Sequence, residues 1–342
     1  MSKLTIAVPT YNRSYYLKEM LDSILQQTCS DFFVKIYDNC STDNTTETVK
    51  PYLLDKRFSY HRHITSVNNF HYILKDVTTE YLLMAHDDDT MLPDMVKEER
   101  AILDLHEDVS LVSTNANYIN TKGEVIEPSG YNNCNNKWLG NDRFINSREY
   151  INFITIANKP NIICCPTVML RMPVIRKHNF QSRIDIGGAS DYFAWLELNQ
   201  LDYKFYYINK ALYNYRIHSG QDHQLSPFLY PRLRKPVYYL LSENKHSRQT
   251  INEWLKFINK TVAIDAITYG YDVFWKHREN ILFYNKLDFA LFFAFFRENC
   301  VLYKKYFRKF KKKLKIVLKR IIPHRIWGLG KKIIHAHRHK KD

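Results

Sequence analysis

The sequence predicts an α/β fold: a mainly parallel sheet flanked by helices, followed by a helical region and a cationic tail. Three observations carry that prediction. Apolar runs of strand length alternate with segments of helical period between residues 3 and 106. Several of those runs end in polar or acidic residues at their carboxyl ends, where open α/β sheets bind ligands. One of them, Tyr81-Leu82-Leu83-Met84-Ala85, runs directly into His86-Asp87-Asp88-Asp89.

In chain order, Lys3–Pro9 is a short apolar β run closed by Thr10-Tyr11-Asn12-Arg13. Ser14 is placed to cap a helix whose apolar positions Leu17, Met20, Leu21, Ile24 and Leu25 recur at intervals of three and four. A second strand, Phe33–Tyr37, ends at Asp38-Asn39-Cys40-Ser41-Thr42-Asp43-Asn44, a polar turn able to cap a helix over Thr45–Leu54. A strand over 58–63, a helix over 68–76 and the strand 81–85 follow. This alternation brings the strand ends Thr10/Asn12, Asp38 and Asp87–Asp89 to one crevice.

Beyond the acids the pattern reads as a helix over 93–106, a strand over 110–116 and a hairpin turn at Lys122-Gly123-Glu124. An Asn-rich loop over 131–137, a helix over 147–157 and a strand over 166–170 come next. Gly187-Gly188-Ala189-Ser190-Asp191 is a loop entering a helix, with Asp191 in the first turn. Tyr215-Arg216-Ile217-His218, expected just after a strand, closes the domain. The boundaries that result are 1–225 for the α/β domain, 226–300 for a helical aromatic-rich region and 301–342 for the tail.

Composition fits that division. The 342 residues are 45% hydrophobic and 15% aromatic, enough for a sizeable core. The six cysteines form no CxxC pair or finger spacing, and no signal peptide opens the chain, which points to a reducing cytoplasm. The net charge of +15 is not spread evenly. Residues 303–342 hold 16 Lys and Arg against one acid, Asp342, so the tail accounts for all of it and the body is neutral.

Three adjacent carboxylates at a buried strand's end repel one another unless a cation joins them. Hard oxygen ligands on a short segment suit Mg2+ or Mn2+, which would in turn hold substrate phosphates. The competing reading is a solvated acidic turn capping the helix from Pro93. Glycine is scarce, 9 of 342, and no GxGxxG or GxxxxGK[ST] follows any strand. A dinucleotide-binding domain and a P-loop enzyme are thereby disfavoured, and metal becomes the means of holding phosphate.

Three ordered motifs resemble glycosyltransferase family 2. They are Ile6-Ala7-Val8-Pro9-Thr10-Tyr11-Asn12-Arg13, then Tyr37-Asp38-Asn39-Cys40-Ser41-Thr42-Asp43, then His86-Asp87-Asp88-Asp89 with Pro93 four residues on. The resemblance covers about the first 220 residues. It implies the GT-A type of α/β fold, a usually inverting enzyme, and a nucleotide-sugar donor over the first half of the sheet, with the acceptor against the second. Carried over by residue, it implies Thr10 and Asp38 at the base and ribose, Asn12 and Arg13 in the same loop, and Asn69 near the nucleotide. Asp87 is implied at the ribose, Asp88 and Asp89 on the metal side. Many relatives read Asp-x-Asp-Asp, and His86 stands here where the first Asp would be.

For Asp38 and Asp43 the alternative is a helix cap, favoured for Asp43; for Asn69 it is a helix-start residue. The resemblance makes Asp191 the general base, because an acceptor hydroxyl must lose its proton as it attacks; a dipole-favoured first-turn acid is the alternative. It also places His218 at the metal or diphosphate, against a purely structural histidine. No Gln-x-x-Arg-Trp follows Asp191, which argues against a processive synthase.

In the tail, apolar residues at 303, 306, 307, 310, 314, 317, 318, 321 and 322 share one helical face and the cations the other. This is the pattern of an in-plane membrane anchor, drawn to anionic lipid. Nucleic-acid binding is the rival and is not expected, since phosphate contact needs no continuous apolar face. Leu287–Phe296 is apolar but too short to span a bilayer. The expectation is a cytoplasmic enzyme, peripheral on the inner face of the cell membrane, acting on a glycan or lipid-linked acceptor. A sugar nucleotidyltransferase, or an adaptor acting through the tail, are the alternatives.

Overall fold

The computed structural model describes residues 2–126, 140–146, 149–150, 163–179, 190–221, 231–284, 287–295 and 298. The chain divides into two compact units, residues 1–226 with 240–253, and residues 227–239 with 254–342.

The first unit is built on a mixed sheet. Its strands are β1 (Leu4–Thr10), β2 (Phe33–Asp38), β3 (Phe58–Arg62), β4 (Tyr81–Met84), β5 (Thr90–Met91), β6 (Val109–Ile119), β7 (Arg143–Ile145), β8 (Val168–Arg171) and β9 (Lys204–Arg216). They lie in the order β3-β2-β1-β4-β8-β6-β9-β5, with β7 paired to β9. The first four are parallel, so Thr10, Asp38 and the residues after β4 share one edge of the sheet. β8 then runs antiparallel to both β4 and β6, and β9 is parallel to β6.

Both faces of the parallel half are covered, and its strands are correspondingly apolar throughout. Leu4, Ile6 and Val8 of β1, Val34 and Ile36 of β2 and Leu83 of β4 have lost nearly all exposure. Leu17, Met20, Leu21 and Ile24 of α1 (Ser14–Leu25) join them in one core cluster. That cluster fixes the height of α1, and with it the loop Tyr11–Arg13, over the sheet edge.

Local differences from the sequence reading have physical reasons. Ser14 begins α1 but its side chain makes no capping bond; its amide N–H donates instead to Asp43 Oδ2 at 3.0 Å. Asp43 Oδ1 also accepts from the Thr45 N–H at 3.1 Å, so one carboxylate serves the starts of two helices. Burial opposes its charge, but the bonds from Thr45 and Ser14 hold its pKa below the usual carboxylate value. The helix expected over Thr45–Leu54 is α only as α2 (Thr45–Val49) and tightens to a 3-10 turn over Lys50–Leu54, where Pro51 supplies no N–H. The hairpin turn is present: Ile119 bridges Val125, and Gly123 sits at φ +83°, a conformation L side chains rarely adopt. Tyr215 and Arg216 are the last residues of β9 rather than the first after it. β5 and β7, at two and three residues, are too short to show a period.

The remaining helices of this unit include α3 (Asn69–Asp76), α4 (Met95–Leu105) and Ser190–Asn199. The second unit is helical. Trp254, Ile258 and Val262 form a buried stripe one turn apart. Arg234 is wholly buried; its Nε donates to Asn259 Oδ1 at 2.7 Å and its Nη1 to Asp288 Oδ1 at 2.8 Å. No helix of the described residues is long and apolar enough to cross a membrane. The Asn-rich stretch 131–137, most of 147–157, Gly187-Gly188 and the tail 303–342 lie outside the described residues.

Candidate active site

The Ala85 N–H donates to the Ala7 carbonyl at 2.9 Å, so β4 stays beside β1 up to the acids. Within two residues of the acids, β5 pairs with β9 at Thr90↔Asn214 and Met91↔Tyr213. His86–Asp89 is therefore a tight turn between the end of β4 and the end of β9, with one flank on the α1 loop.

Each acid is held differently. Asp87 Oδ1 accepts from Arg13 Nη1 at 3.0 Å, and its Oδ2 from the Tyr11 N–H at 3.3 Å. Burial outweighs the Arg13 charge and pushes its pKa up to about 6. Asp88 Oδ2 lies 3.2 Å from the same Arg13 nitrogen and 2.9 Å from His218 Nε2. Burial again opposes ionisation, but His86, Arg13 and His218 together hold Asp88 below the usual range. Asp89 has no exposed surface; its Oδ1 accepts from the Arg216 N–H at 2.7 Å. Its Oδ2 is buried without a hydrogen-bond partner. Burial, then the Asp88 charge, push this carboxyl well above its ordinary pKa. The nearby Tyr213 hydroxyl favours the ionised form but completes no hydrogen bond to Oδ2.

These residues fit a divalent cation. His86, Asp88 and Asp89 each offer a ligand atom, all within 4.8 Å of one another, and among the described residues they make the one such group. The orphaned Asp89 oxygen is the decisive feature, since a buried carboxylate oxygen with no donor is costly until something positive reaches it. His218, placed on the metal side by the sequence, is outside that group and reaches it through Asp88.

The other strand ends close the same rim. Thr10 is buried, and its carbonyl accepts from the Asn39 N–H at 2.9 Å. Asn12 sits at φ +50°, with its N–H on Ser41 Oγ at 2.9 Å and its Oδ1 taking the Thr42 N–H at 2.7 Å. Asp38 is fully buried, its Oδ1 accepting from the Ser41 N–H at 2.8 Å and its Oδ2 from the Tyr60 hydroxyl at 2.6 Å. Asn69 opens α3; its Oδ1 meets His63 Nε2 at 3.0 Å and its Nδ2 donates to the Tyr37 carbonyl at 3.2 Å. The cap of that helix is Asn68, whose Oδ1 takes the His71 N–H at 2.9 Å, so Asn69 is left to tie β2 to β3.

Asp191 stands in the first turn of Ser190–Asn199 and is half-buried. Enclosure raises its pKa to about 6, against the amides of Tyr192 and Asp191 itself. The Cys165 thiol, at the start of the turn into β8, is pushed up by burial and then by Asp191, Cys164 and Asp89 in that order.

With that geometry in view, the family profile described as Glycosyl transferase family 2 matches residues 5–177, half of the chain. The chain belongs to glycosyl transferase family 2. This family 2 enzyme is 24% identical to an uncharacterized glycosyltransferase of Methanocaldococcus jannaschii, over 76% of this chain and 87% of that one. It is 23% identical to the poly(ribitol-phosphate) beta-N-acetylglucosaminyltransferase TarS of Staphylococcus aureus, covering 75% of this chain but only 44% of that protein. Its fold is of the GT-A type and superposes on the crystal structure of S. aureus TarS 1–349 in complex with UDP-GlcNAc. That match has a TM-score of 0.61 at 15% identity, over 85% of this chain and 87% of the other. A mannosyltransferase from Pyrobaculum calidifontis in complex with GDP-Man and Mn2+ superposes with a TM-score of 0.51 at 15% identity, over 89% and 88%.

Three residues of this glycosyltransferase escaped the sequence reading. His86 was visible as the residue replacing an expected acid, and its spacing to Asp88 was the available signal. Arg216 was visible only as part of the Tyr215–His218 motif and Glu19 gave no signal, because their contact to each other spans 197 positions.

Proposed function

We propose that this glycosyltransferase is metal-dependent and inverting, and moves a sugar from a UDP-sugar to a hydroxyl of a membrane-associated glycan or lipid-linked acceptor. The observation that carries the reading is the buried, unpartnered Oδ2 of Asp89 beside Asp88 and His86. Mn2+ or Mg2+ is the ion; the imidazole favours Mn2+, since Mg2+ prefers all-oxygen sets. Bound by Asp88 and Asp89, with His86 or His218 as nitrogen donor, the ion would neutralise charge on the departing diphosphate. The Mn2+ in the Pyrobaculum mannosyltransferase structure and the UDP-GlcNAc in that of TarS support the ion and the donor class.

The chain's own residues do the rest. Thr10, Asn12, Arg13, Asp38, Asn69 and Asp87 surround the nucleotide, with Asp38 toward the base and Asp87 toward the ribose. Asp191 accepts the proton of the acceptor hydroxyl as that oxygen attacks the anomeric carbon. The bond from that carbon to the diphosphate oxygen breaks with its electron pair, so nucleoside diphosphate leaves and the configuration inverts. No covalent enzyme intermediate is needed. The domain limits remain 1–225, 226–300 and 301–342, with the cationic tail holding the enzyme at an anionic membrane surface.

A thermal-shift panel of nucleoside diphosphates with and without Mn2+ tests donor and ion together. Uridine diphosphate with Mn2+ is expected to raise Tm most; no shift with any of them overturns the reading. Release of nucleoside diphosphate from a labelled nucleotide-sugar, rather than pyrophosphate, separates transfer from nucleotidyl chemistry. Removing residues 303–342 is expected to abolish vesicle binding while leaving turnover on a soluble acceptor analogue; vesicle binding that survives the truncation would overturn the role given to the tail.

A further inference from the structure

Arg216 is among the largest fully buried side chains of the enzyme, and every polar group it carries is engaged at the rim of the acidic turn. Its N–H holds Asp89 Oδ1 at 2.7 Å and its Nε donates to the Asp88 carbonyl at 2.7 Å. Nη1 donates to the Asn120 carbonyl at 3.1 Å, at the hairpin that ends β6. Nη2 pairs with Glu19 Oε2, and the guanidinium lies over the Tyr16 ring at 4.7 Å, both from α1. Its own carbonyl accepts from Gln221 Nε2 at 2.6 Å, in the turn that carries His218. One residue, through its side chain and its backbone, therefore joins α1, the acidic turn, the β6 hairpin and the His218 turn.

We infer that Arg216 and Glu19 form a charge-balanced positioning strut that aims Asp89 Oδ2 at the cation site and keeps the site's field negative. The two halves of that statement rest on different contacts. Fixing Oδ1 on the Arg216 amide leaves Oδ2 as the atom that points onward, and fixing the Asp88 carbonyl on Nε sets the turn that presents Asp88. A buried guanidinium next to a divalent-cation site would by itself repel the ion, in an environment where charges are weakly screened. Glu19, its side chain about one-third exposed, cancels that charge. It makes no contact with the acids among the described bonds, so its influence on an ion is through charge and alignment alone.

The proposal rests on the ion reading above. It is tested with the full chain, saturated with uridine diphosphate, by titrating Mn2+ and reading free manganese by electron paramagnetic resonance. Glu19→Gln keeps the shape and loses the charge; Glu19→Asp keeps the charge and shortens the arm. The strut requires Glu19→Gln to weaken Mn2+ binding by on the order of tenfold, and Glu19→Asp to keep most of the affinity. A merely structural role predicts the reverse ranking, with the isosteric Gln tolerated and the shorter Asp not, and would overturn the proposal. Arg216→Lys, which cannot make the three guanidinium bonds at once, is expected to lose Mn2+ affinity and kcat while donor KM without metal-dependent change stays put. Melting curves of all three variants exclude unfolding as the cause. If wild type itself binds no manganese, the ion reading falls and the strut with it; if wild type binds and Glu19→Gln binds equally, the strut alone falls.

Discussion

The two halves of the sheet hold their strand-end carboxylates by different means. On the parallel side, Asp38 is satisfied by Ser41 and Tyr60, both within 22 positions of it. After β4, where the parallel strands meet the antiparallel β8, Asp88 and Asp89 depend on Arg216 and His218, which arrive 127 to 130 positions later along β9 and its turn. The parallel strand ends are thus held largely by near neighbours, although the buried Thr10 Oγ1 has no hydrogen-bond partner. The acidic turn is completed only when β9 docks, and even then it retains one unpaired oxygen, Asp89 Oδ2. A buried carboxylate oxygen without a donor is costlier than the unpartnered Thr10 hydroxyl, so the Asp89 deficit is the one that points to a cation.

The largest effect is expected where that deficit lies. Asp89→Asn removes the buried charge but keeps an oxygen for the Arg216 N–H. Transfer should fall by about a thousandfold, while Tm holds or rises, because a carboxyl disfavoured by burial has been made neutral. A variant that transfers normally would mean that Asp89, unpaired oxygen and all, serves the fold and not the ion. Asp191→Asn is expected to lower kcat by about a hundredfold with nucleotide-diphosphate affinity unchanged, measured by transfer rates against calorimetric binding. If binding falls in step with kcat, Asp191 belongs to the nucleotide wall and the division of labour between the halves fails.

A smaller and graded effect follows from the raised Asp191 pKa of about 6. A base must be unprotonated to accept, so kcat/KM is expected to be flat above that value and to fall roughly tenfold per pH unit below it. The limb should vanish in Asp191→Asn, whose residual rate no longer depends on this proton. A limb that survives the substitution would assign it to another group, with Asp87, also near 6, the first to examine.

Much of the parallel half was legible because its determinants are local. Alternating periods marked β1 to β4, and the polar residues after each strand stood where parallel strands must place them. The mixed half was legible only in fragments. β8 was recognisable as a strand, but nothing in Val168–Arg171 states that it runs antiparallel between β4 and β6. Asp191 was found through its resemblance to a family motif; the enclosure that raises its pKa comes from the fold. Arg216 reads in sequence only as part of Tyr215-Arg216-Ile217-His218, expected just after a strand, and its contacts appear only when α1 and β9 meet. Likewise Ser14 has the composition of a cap, yet Asp43 takes the bond, because a carboxylate from a neighbouring turn can serve two helices at once.

The smallest effect provides the control for all of these. Glu99, on the buried face of α4, has no exposed surface, and neither carboxylate oxygen has a hydrogen-bond partner among the described residues. Burial pushes its pKa well above the ordinary value. The folded chain therefore binds a proton there that the unfolded chain releases at about pH 4.3. Stability from this group is fullest below that unfolded pKa and declines as pH rises toward the folded one. Glu99→Met should remove that slope and add about 2 kcal/mol at neutral pH, seen as a rise of roughly 5 °C in Tm, with kcat and donor KM unchanged. Asp89 and Glu99 are both buried carboxyls with orphaned oxygens, and neutralising either should stabilise the fold. Only at Asp89 should the gain come with lost transfer, because only there do a second acid and an imidazole converge on the same point. If Glu99→Met also cost activity, an unpaired buried carboxyl would have lost its value as a marker of the ion site in this enzyme.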